Sequence, residues 1–244
     1  MKWHFYTYFN LGLMNVAVIL AGGTGKRLGA EMPKQFLTVA GKTIIEHTIT
    51  AFHSHPGIDE IAIVIHRDYV EDVKKIVDNN DFHKVKRILL GGKERYDSSM
   101  AAIKAYQDTS DVNLLIHDAA RPLVSHRIIS DCIAALQHHH AVDVVINTTD
   151  TIIRAASDNT IAETLDRSLL RNVQTPQAFK LETIRRAYLL ALQDPNMKAT
   201  DDCGVVSHYL PEEKVYLVEG DACNIKLTYK EDLSLIERYL LKNI

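Results

Sequence analysis

The chain alternates short apolar runs with amphipathic stretches. Val16 to Ala21 is an uninterrupted apolar run, the pattern of a strand buried on both faces. Phe36 to Val39 is a second, shorter apolar segment, and Ala40-Gly41-Lys42 forms a turn. Thr43 is placed to cap a helix running to about His53, with Ile44, Ile45, Thr48, Ile49 and Phe52 at helical spacing. Pro56-Gly57 closes that helix. The same reading predicts strands at 58–65, 85–90, 113–116 and 142–147, and helices at 69–79, 98–106 and 127–140. Strands alternating with helices point to an α/β fold, a doubly wound and mostly parallel Rossmann-like sheet. Ligands of such sheets sit beyond the carboxyl ends of the strands. Polar clusters fall at those ends, at residues 21–34, 91–99 and 117–122.

Residues 148–174 break the alternation. Segments 148–154 and 161–165 read as two strands flanking Ser157-Asp158-Asn159, an antiparallel hairpin that projects as a β-arm. Thr175-Pro176-Gln177 returns the chain to the body, followed by a helix at 181–193, a strand at 214–219 and a closing helix at 231–242. The expected organisation is one domain over 14–244, carrying 148–174 as its arm. Residues 1–13 are aromatic-rich, and the expectation is that Met14, two residues before the first predicted strand, is the natural start or that 1–13 is a loosely held extension.

Composition narrows the class. With 244 residues, 46% hydrophobic and 24% charged, the chain is of ordinary globular make-up. Its net charge of −3 lacks the basic footprint of a nucleic-acid binder. Cys132, Cys203 and Cys223 are odd in number and widely spaced, neither a disulfide framework nor a zinc pattern. They suit a reducing compartment. No apolar run approaches the ~20 residues of a membrane span, and Met1 to Leu13 lacks the apolar core of a signal peptide. A cytoplasmic protein without nucleic-acid or membrane partners is expected. His138-His139-His140 ends a predicted helix. It reads as a solvated run rather than a metal site, because adjacent residues do not share a helix face.

Candidate chemistry begins at the first cluster. The strand Val16–Ala21 runs straight into Gly22, Gly23 and Gly25, which let the backbone approach a ligand closely. Peptide N–H groups freed in such a turn converge on phosphate oxygens, and Lys26, Arg27 and Lys34 add positive charge. No Gly-Lys-Ser/Thr closes the loop, so it is not a Walker A motif, and Leu28 stands where a dinucleotide fingerprint needs its third glycine. In the second cluster, Gly91-Gly92 again permits close approach. Asp97, Ser98 or Ser99 is placed to cap the next helix, with a serine hydroxyl left for a base edge. In the third, Asp118 lies just past a buried strand, suited to Mg²⁺, with Arg121 three residues on. Lys226 interrupts an apolar pattern between Ile225 and Leu227. It either snorkels to solvent or reaches the site as a further cation.

Taken together, Leu20-Ala-Gly-Gly-Thr-Gly-Lys-Arg27, Pro33-Lys34-Gln35, Gly91-Gly92-x-x-Arg95, His117-Asp118-Ala-Ala-Arg121-Pro122, Asp150-Thr151, Arg167, Gln174-Thr175-Pro176-Gln177 and Asn224-Ile-Lys226 occur in order. From Met14 to Ile244 the chain resembles the cytidylyltransferases that act on 2-C-methyl-D-erythritol 4-phosphate or ribitol 5-phosphate. The resemblance implies transfer of a cytidylyl group from CTP to a polyol phosphate, giving a CDP-polyol and pyrophosphate. It assigns Arg27, Lys34 and Lys226 to catalysis. Ala21, Gly22, Gly23, Gly25, Gly92, Ser98 and Asp118 fall to the nucleotide, with Asp118 also the Mg²⁺ ligand. Arg121, Thr151, Arg167 and Thr175 fall to the acceptor. It also implies a homodimer in which the arms exchange, so that Thr151 and Arg167 complete the partner's site.

The acceptor divides the family. The methylerythritol branch typically carries Pro-x-x-Asp-Thr-x-Lys at the arm, whereas here Asn147 and Ile153 occupy the first and last positions. Segments 91–95, 202–203 and 210–213 look more like the pentitol-phosphate branch, while Asp118-Ala-Ala-Arg121 and Leu165-Asp-Arg167 look like the methylerythritol branch. The reading favours D-ribitol 5-phosphate, with 2-C-methyl-D-erythritol 4-phosphate as the alternative. A UTP- or GTP-dependent nucleotidyltransferase and a non-catalytic nucleotide-binding module of the same fold are the rival classes.

Overall fold

The structure, a computed structural model, describes residues 13–23, 32–197 and 199–242. The expected extension at 1–13 lies outside them except for Leu13, as do Gly25, Lys26 and Arg27. In order, the elements are β1 (Met14–Ala21), β2 (Thr38–Val39), β3 (Lys42–Thr43), α1 (Ile44–His53), β4 (Glu60–Ile65), α2 (Val70–Asn79), β5 (Val85–Leu90), α3 (Arg95–Tyr106) and β6 (Val112–Asp118). Next come α4 (His126–Ala135), β7 (Ala141–Asn147), β8 (Ile153–Ala155), β9 (Ile161–Thr164), β10 (Arg171–Lys180), α5 (Leu181–Ala191), α6 (Asp202–Tyr209), β11 (Val215–Glu219) and α7 (Glu231–Lys242).

A seven-stranded sheet in the order β11-β7-β10-β6-β1-β4-β5 forms the centre. β1 pairs in parallel with both β4 and β6, β4 with β5, and β7 with β11. β10 alone runs antiparallel, between β6 and β7. The mostly parallel α/β expectation holds. The apolar run of β1 is buried on both faces, with Val16, Ala17, Val18 and Ile19 fully inaccessible. On one side it packs with Phe52, Ile45 and Ile129. On the other it packs with Tyr106, Tyr188 and Phe179. No helix of the described residues is long and apolar enough to cross a membrane.

Helix α1 follows its sequence signals closely. Thr43 accepts from the Glu46 N–H while the Glu46 carboxylate accepts from the Thr43 N–H, the reciprocal capping box. The arm is present as a two-stranded antiparallel sheet of β8 and β9, shorter than the predicted strands.

Several expectations are corrected. Helix α3 begins at Arg95, capped by Glu94, whose backbone N–H donates to Asp97 at 3.0 Å. Ser98 therefore sits inside the first turn and caps nothing. Helix α4 ends at Ala135, so the histidine triplet lies beyond it. His139 stacks on Tyr216 with ring centroids 4.1 Å apart, and His140 meets Glu213 at 2.9 Å. Strand β10 spans Arg171–Lys180, taking in the end of the expected arm and the Thr175-Pro176-Gln177 return. Pro176 lacks the N–H that a central strand position needs. The pairing accommodates it by a register shift between Val173 and Gln177. Helix α6 was not foreseen. Its short run Asp-Cys-Gly-Val-Val-Ser-His-Tyr carries a glycine in its first turn and little amphipathic period.

Candidate active site

The strand-end clusters meet in one cleft. Ala21 and Gly22 at the end of β1, Gly92 after β5, Ser98 of α3 and Asp118 at the end of β6 line a hollow of about 240 Å³. Gly23, Lys34 and Lys226 line the same hollow. Gln35 holds the rim by donating from Nε2 to the carbonyls of Ala21 at 2.6 Å and Gly23 at 3.2 Å. At Gly92 a side chain is excluded, because a Cβ there would come within 2.3 Å of the Asp97 Cβ. This glycine lets the backbone pass directly over the start of α3.

Charge concentrates around Asp118. Lys226 Nζ lies 2.7 Å from its Oδ2, Arg121 Nε 3.9 Å from the same oxygen, and Arg95 Nε 3.9 Å from Oδ1. Burial pushes the Asp118 carboxyl up, but Lys226, Arg95 and Arg121 outweigh it and hold the group well below the ordinary carboxylate range. Lys34 Nζ donates to the Leu227 carbonyl at 2.7 Å, one residue beyond Lys226. Both ammonium groups are thus tied to one stretch of chain. That stretch is pinned in turn: Leu227 N–H donates to the Ala120 carbonyl at 2.8 Å, and Asn224 Nδ2 to the Thr175 carbonyl at 2.8 Å. Lys226 reaches the site rather than snorkelling away.

His117 fixes the floor behind Asp118. It is fully buried, and burial lowers its pKa to about 4, so the ring is neutral near pH 7. Nε2 lies 3.0 Å from the Arg121 carbonyl, which can only accept. The proton is therefore on Nε2, and Nδ1 accepts from the Thr175 hydroxyl at 2.9 Å. The Thr175 oxygen in turn accepts the Asp118 N–H at 3.2 Å. Thr175 thereby orients the backbone of Asp118. Arg121 bridges the Asn224 carbonyl at 2.7 Å and the Val173 carbonyl at 3.4 Å, joining β10 to the segment that bears Lys226.

Not every predicted residue is gathered here. Thr151 and Arg167 are exposed on the arm. Arg167 donates to the Thr149 carbonyl at 3.3 Å, and neither residue lines the cleft. Gly25 and Arg27 lie outside the described residues. Sequence reasoning passed over Gln35, His117 and Arg95 although each stood inside a quoted motif. It had no signal for Asp202, whose partner Arg95 is 107 positions away.

As to a metal, among the described residues no group of three or more His, Cys, Asp or Glu side chains gathers to hold one. Asp118 offers a single ionised carboxylate, and Arg95 stops beyond hydrogen-bond length from its Oδ1. Mg²⁺ accepts one protein carboxylate when phosphate oxygens and water supply the rest, so the donor set fits a nucleotide-borne cation.

A mostly parallel α/β sheet with a glycine-lined cleft, two lysines and a strand-end aspartate defines a nucleotidyltransferase. A family model of 2-C-methyl-D-erythritol 4-phosphate cytidylyltransferase matches residues 15–242. The 2-C-methyl-D-erythritol 4-phosphate cytidylyltransferase of Thermobifida fusca is 44% identical over 229 residues, covering 92% of each chain. The bifunctional ribulose 5-phosphate reductase/CDP-ribitol pyrophosphorylase Bcs1 of Haemophilus influenzae is 46% identical over 226 residues. That match covers 92% of this chain but only 48% of the relative. Among solved structures, 4-diphosphocytidyl-2C-methyl-D-erythritol synthase from Anaerococcus prevotii superposes with a TM-score of 0.83 at 29% identity, covering 94% of this chain and 97% of the other. The Thermus thermophilus 2-C-methyl-D-erythritol 4-phosphate cytidylyltransferase gives 0.73 at 29% identity, covering 93% and 98%. The chain belongs to the 2-C-methyl-D-erythritol 4-phosphate cytidylyltransferase family and is a CTP-dependent cytidylyltransferase.

Proposed function

We propose that the cleft binds CTP and transfers its cytidylyl group to 2-C-methyl-D-erythritol 4-phosphate. The observation that carries the site assignment is the convergence of Lys34 and Lys226 beside Asp118 in a glycine-lined hollow at the strand ends. An oxygen of the acceptor phosphate attacks the α-phosphorus of CTP. The new P–O bond forms as the bond to the bridging oxygen of the β-phosphate breaks, and pyrophosphate departs with the electron pair. Such a transfer needs positioning and charge stabilisation rather than a protein nucleophile. Ala21, Gly22, Gly23, Gly92 and Ser98 hold the base and sugar end, and Gly25 belongs with them in binding the nucleotide. Lys34, Lys226 and Arg27 offset the charge that develops at phosphorus. Asp118 would hold Mg²⁺, which when bound neutralises phosphate charge.

Arg121 and Thr175 shape the acceptor side of the cleft by fixing β10 and the segment bearing Lys226. Thr151 and Arg167 take the acceptor from the arm of a second copy, in a homodimer. Exposed apolar groups on and beside the arm, Ile153, Ile161, Leu169 and Val173, support a protein contact there. The buried cysteines Cys132 and Cys203 support a cytoplasmic setting.

For the acceptor, the family match and the full-length relative support methylerythritol phosphate over the ribitol phosphate that the arm sequence favoured. Ribitol 5-phosphate stands as the second reading, on the 46% identical relative named for CDP-ribitol and on Asn147 and Ile153 at the arm. Pyrophosphate release with CTP and Mg²⁺, run side by side on the two acceptors, decides between them. A kcat/KM at least tenfold higher with ribitol 5-phosphate would overturn the assignment.

A further inference from the structure

Arg95 stands between two carboxylates. One is Asp118, with Nε of Arg95 3.9 Å from Oδ1. The other is Asp202, which Arg95 Nη1 contacts directly. Asp202 is held from several sides. It is fully buried, Tyr188 donates to its Oδ1 at 2.6 Å, and its own N–H donates to Gln177 Oε1 at 3.0 Å. It occupies the first position of α6, where the helix dipole favours an anion. Arg95 is the less confined partner, with its side chain 26% exposed to the cleft. Burial works against the guanidinium charge, but Asp202 and Asp118 together raise its pKa, so it remains a cation.

We infer that Asp202 is a positioning residue that draws Arg95 away from Asp118 and so leaves Asp118 Oδ1 open to the nucleotide. The inference rests on the proposed reading of the cleft as the CTP site. The physical argument is a competition. A guanidinium between two anions in partly desolvated surroundings moves to the one that remains charged, because attraction rises steeply as separation falls. Neutralising Asp202 without changing its shape leaves Asp118 as the carboxylate beside Arg95. Closing a gap of 3.9 Å to hydrogen-bond distance needs only a small side-chain rotation. The guanidinium then occupies Oδ1 and competes with the ligand. Asp202 itself need never touch substrate.

The test is CTP binding by titration calorimetry, with Mg²⁺ present, on four proteins: wild type, Asp202→Asn, Arg95→Gln and the double variant. Asp202→Asn is expected to weaken CTP binding about tenfold, or ~1.4 kcal/mol. Removing Arg95 from that background is expected to recover part of the loss. A double variant that binds as weakly as Asp202→Asn, or more weakly, overturns the inference. So does Asp202→Asn binding as wild type does. Should Asp202→Asn fail to fold, Arg95→Gln and the double variant are compared directly. With no guanidinium to steer, their affinities are expected to agree within about threefold, and a gap above tenfold refutes the competition. Lys226→Ala separates this from the underlying reading. If that variant keeps wild-type CTP affinity, the cleft assignment itself fails. If it loses affinity while Asp202→Asn does not, only the present inference fails.

Discussion

Lys226 Nζ lies 2.7 Å from Asp118 Oδ2, joining the segment before α7 to the end of β6 across 108 positions of chain. A contact between residues so far apart in the chain forms only through tertiary structure. The lysine side chain is 39% exposed and the aspartate 13%. The aspartate is thus the fixed anchor, and the ammonium is the group that can shift toward a phosphate entering the cleft. An ion pair of this kind holds a cation ready at the edge of the cleft.

Lys34→Ala and Lys226→Ala are expected to lower turnover by roughly 10²-fold or more each, in the range of a lost transition-state charge contact. Neither should alter the circular dichroism spectrum. Arg27→Ala is expected to behave likewise. Steady-state pyrophosphate release at saturating CTP measures this, and near-normal turnover in any variant removes that residue from the catalytic set.

His117→Gln is expected to slow the reaction by a smaller factor, about tenfold, through loss of the Thr175 and Arg121 hydrogen bonds that orient the Asp118 backbone. If positioning is the cause, Thr175→Val should give a similar loss and the double variant little more. Independent, multiplying losses would mean that the two residues act separately. The readout is kcat/KM for CTP across the four-member cycle.

The fold was legible where local signals agreed with tertiary demand. Val16–Ala21 reads as a doubly buried strand and is one, and Thr43 and Glu46 spell out the capping box that starts α1. Legibility failed where a distant contact overrides a local rule. Pro176 disguised β10, which is held by β6 and β7 on either side. Glu94 was passed over as a cap because Asp97 and Ser98 are stronger candidates in isolation. At the site, the glycines, Lys34, Asp118 and Lys226 were recognisable as motifs. Asp202 was not, since nothing near it in the chain announces that Arg95 lies beside it. A pairing of that kind exists only after α3 and α6 are packed on the sheet.

The proposed exchange of arms makes a sharp prediction about mixtures. An Arg167→Ala chain and a Lys34→Ala chain are each expected to be nearly inactive. If the arm of one copy completes the cleft of the other, a mixed dimer holds one site with Lys34 from one chain and Arg167 from the other. Co-refolding equal amounts then restores about a quarter of wild-type activity, since half of the dimers are mixed and each carries one intact site. If the arm serves its own cleft, both sites of the mixed dimer are defective and activity stays at background.

Asp143 supplies a pH signature. Burial pushes its carboxyl up to about 7, Asp201 adding to the effect and the Gln177 amide, which donates at 3.1 Å, partly opposing it. In an unfolded chain the group titrates near ~3.9. Between the two values the folded protein binds more protons than the unfolded one. Wild-type stability contributed by this group is therefore full at low pH and is lost as pH rises through about 7, flattening above it. Asp143→Asn is neutral at all pH and escapes that loss. Relative to wild type, the variant should gain roughly 2–3 kcal/mol between pH 5 and pH 8. Urea denaturation of both proteins at the two pH values measures the difference. A stability gap that does not change with pH would show that Asp143 keeps an ordinary carboxylate pKa in the folded protein.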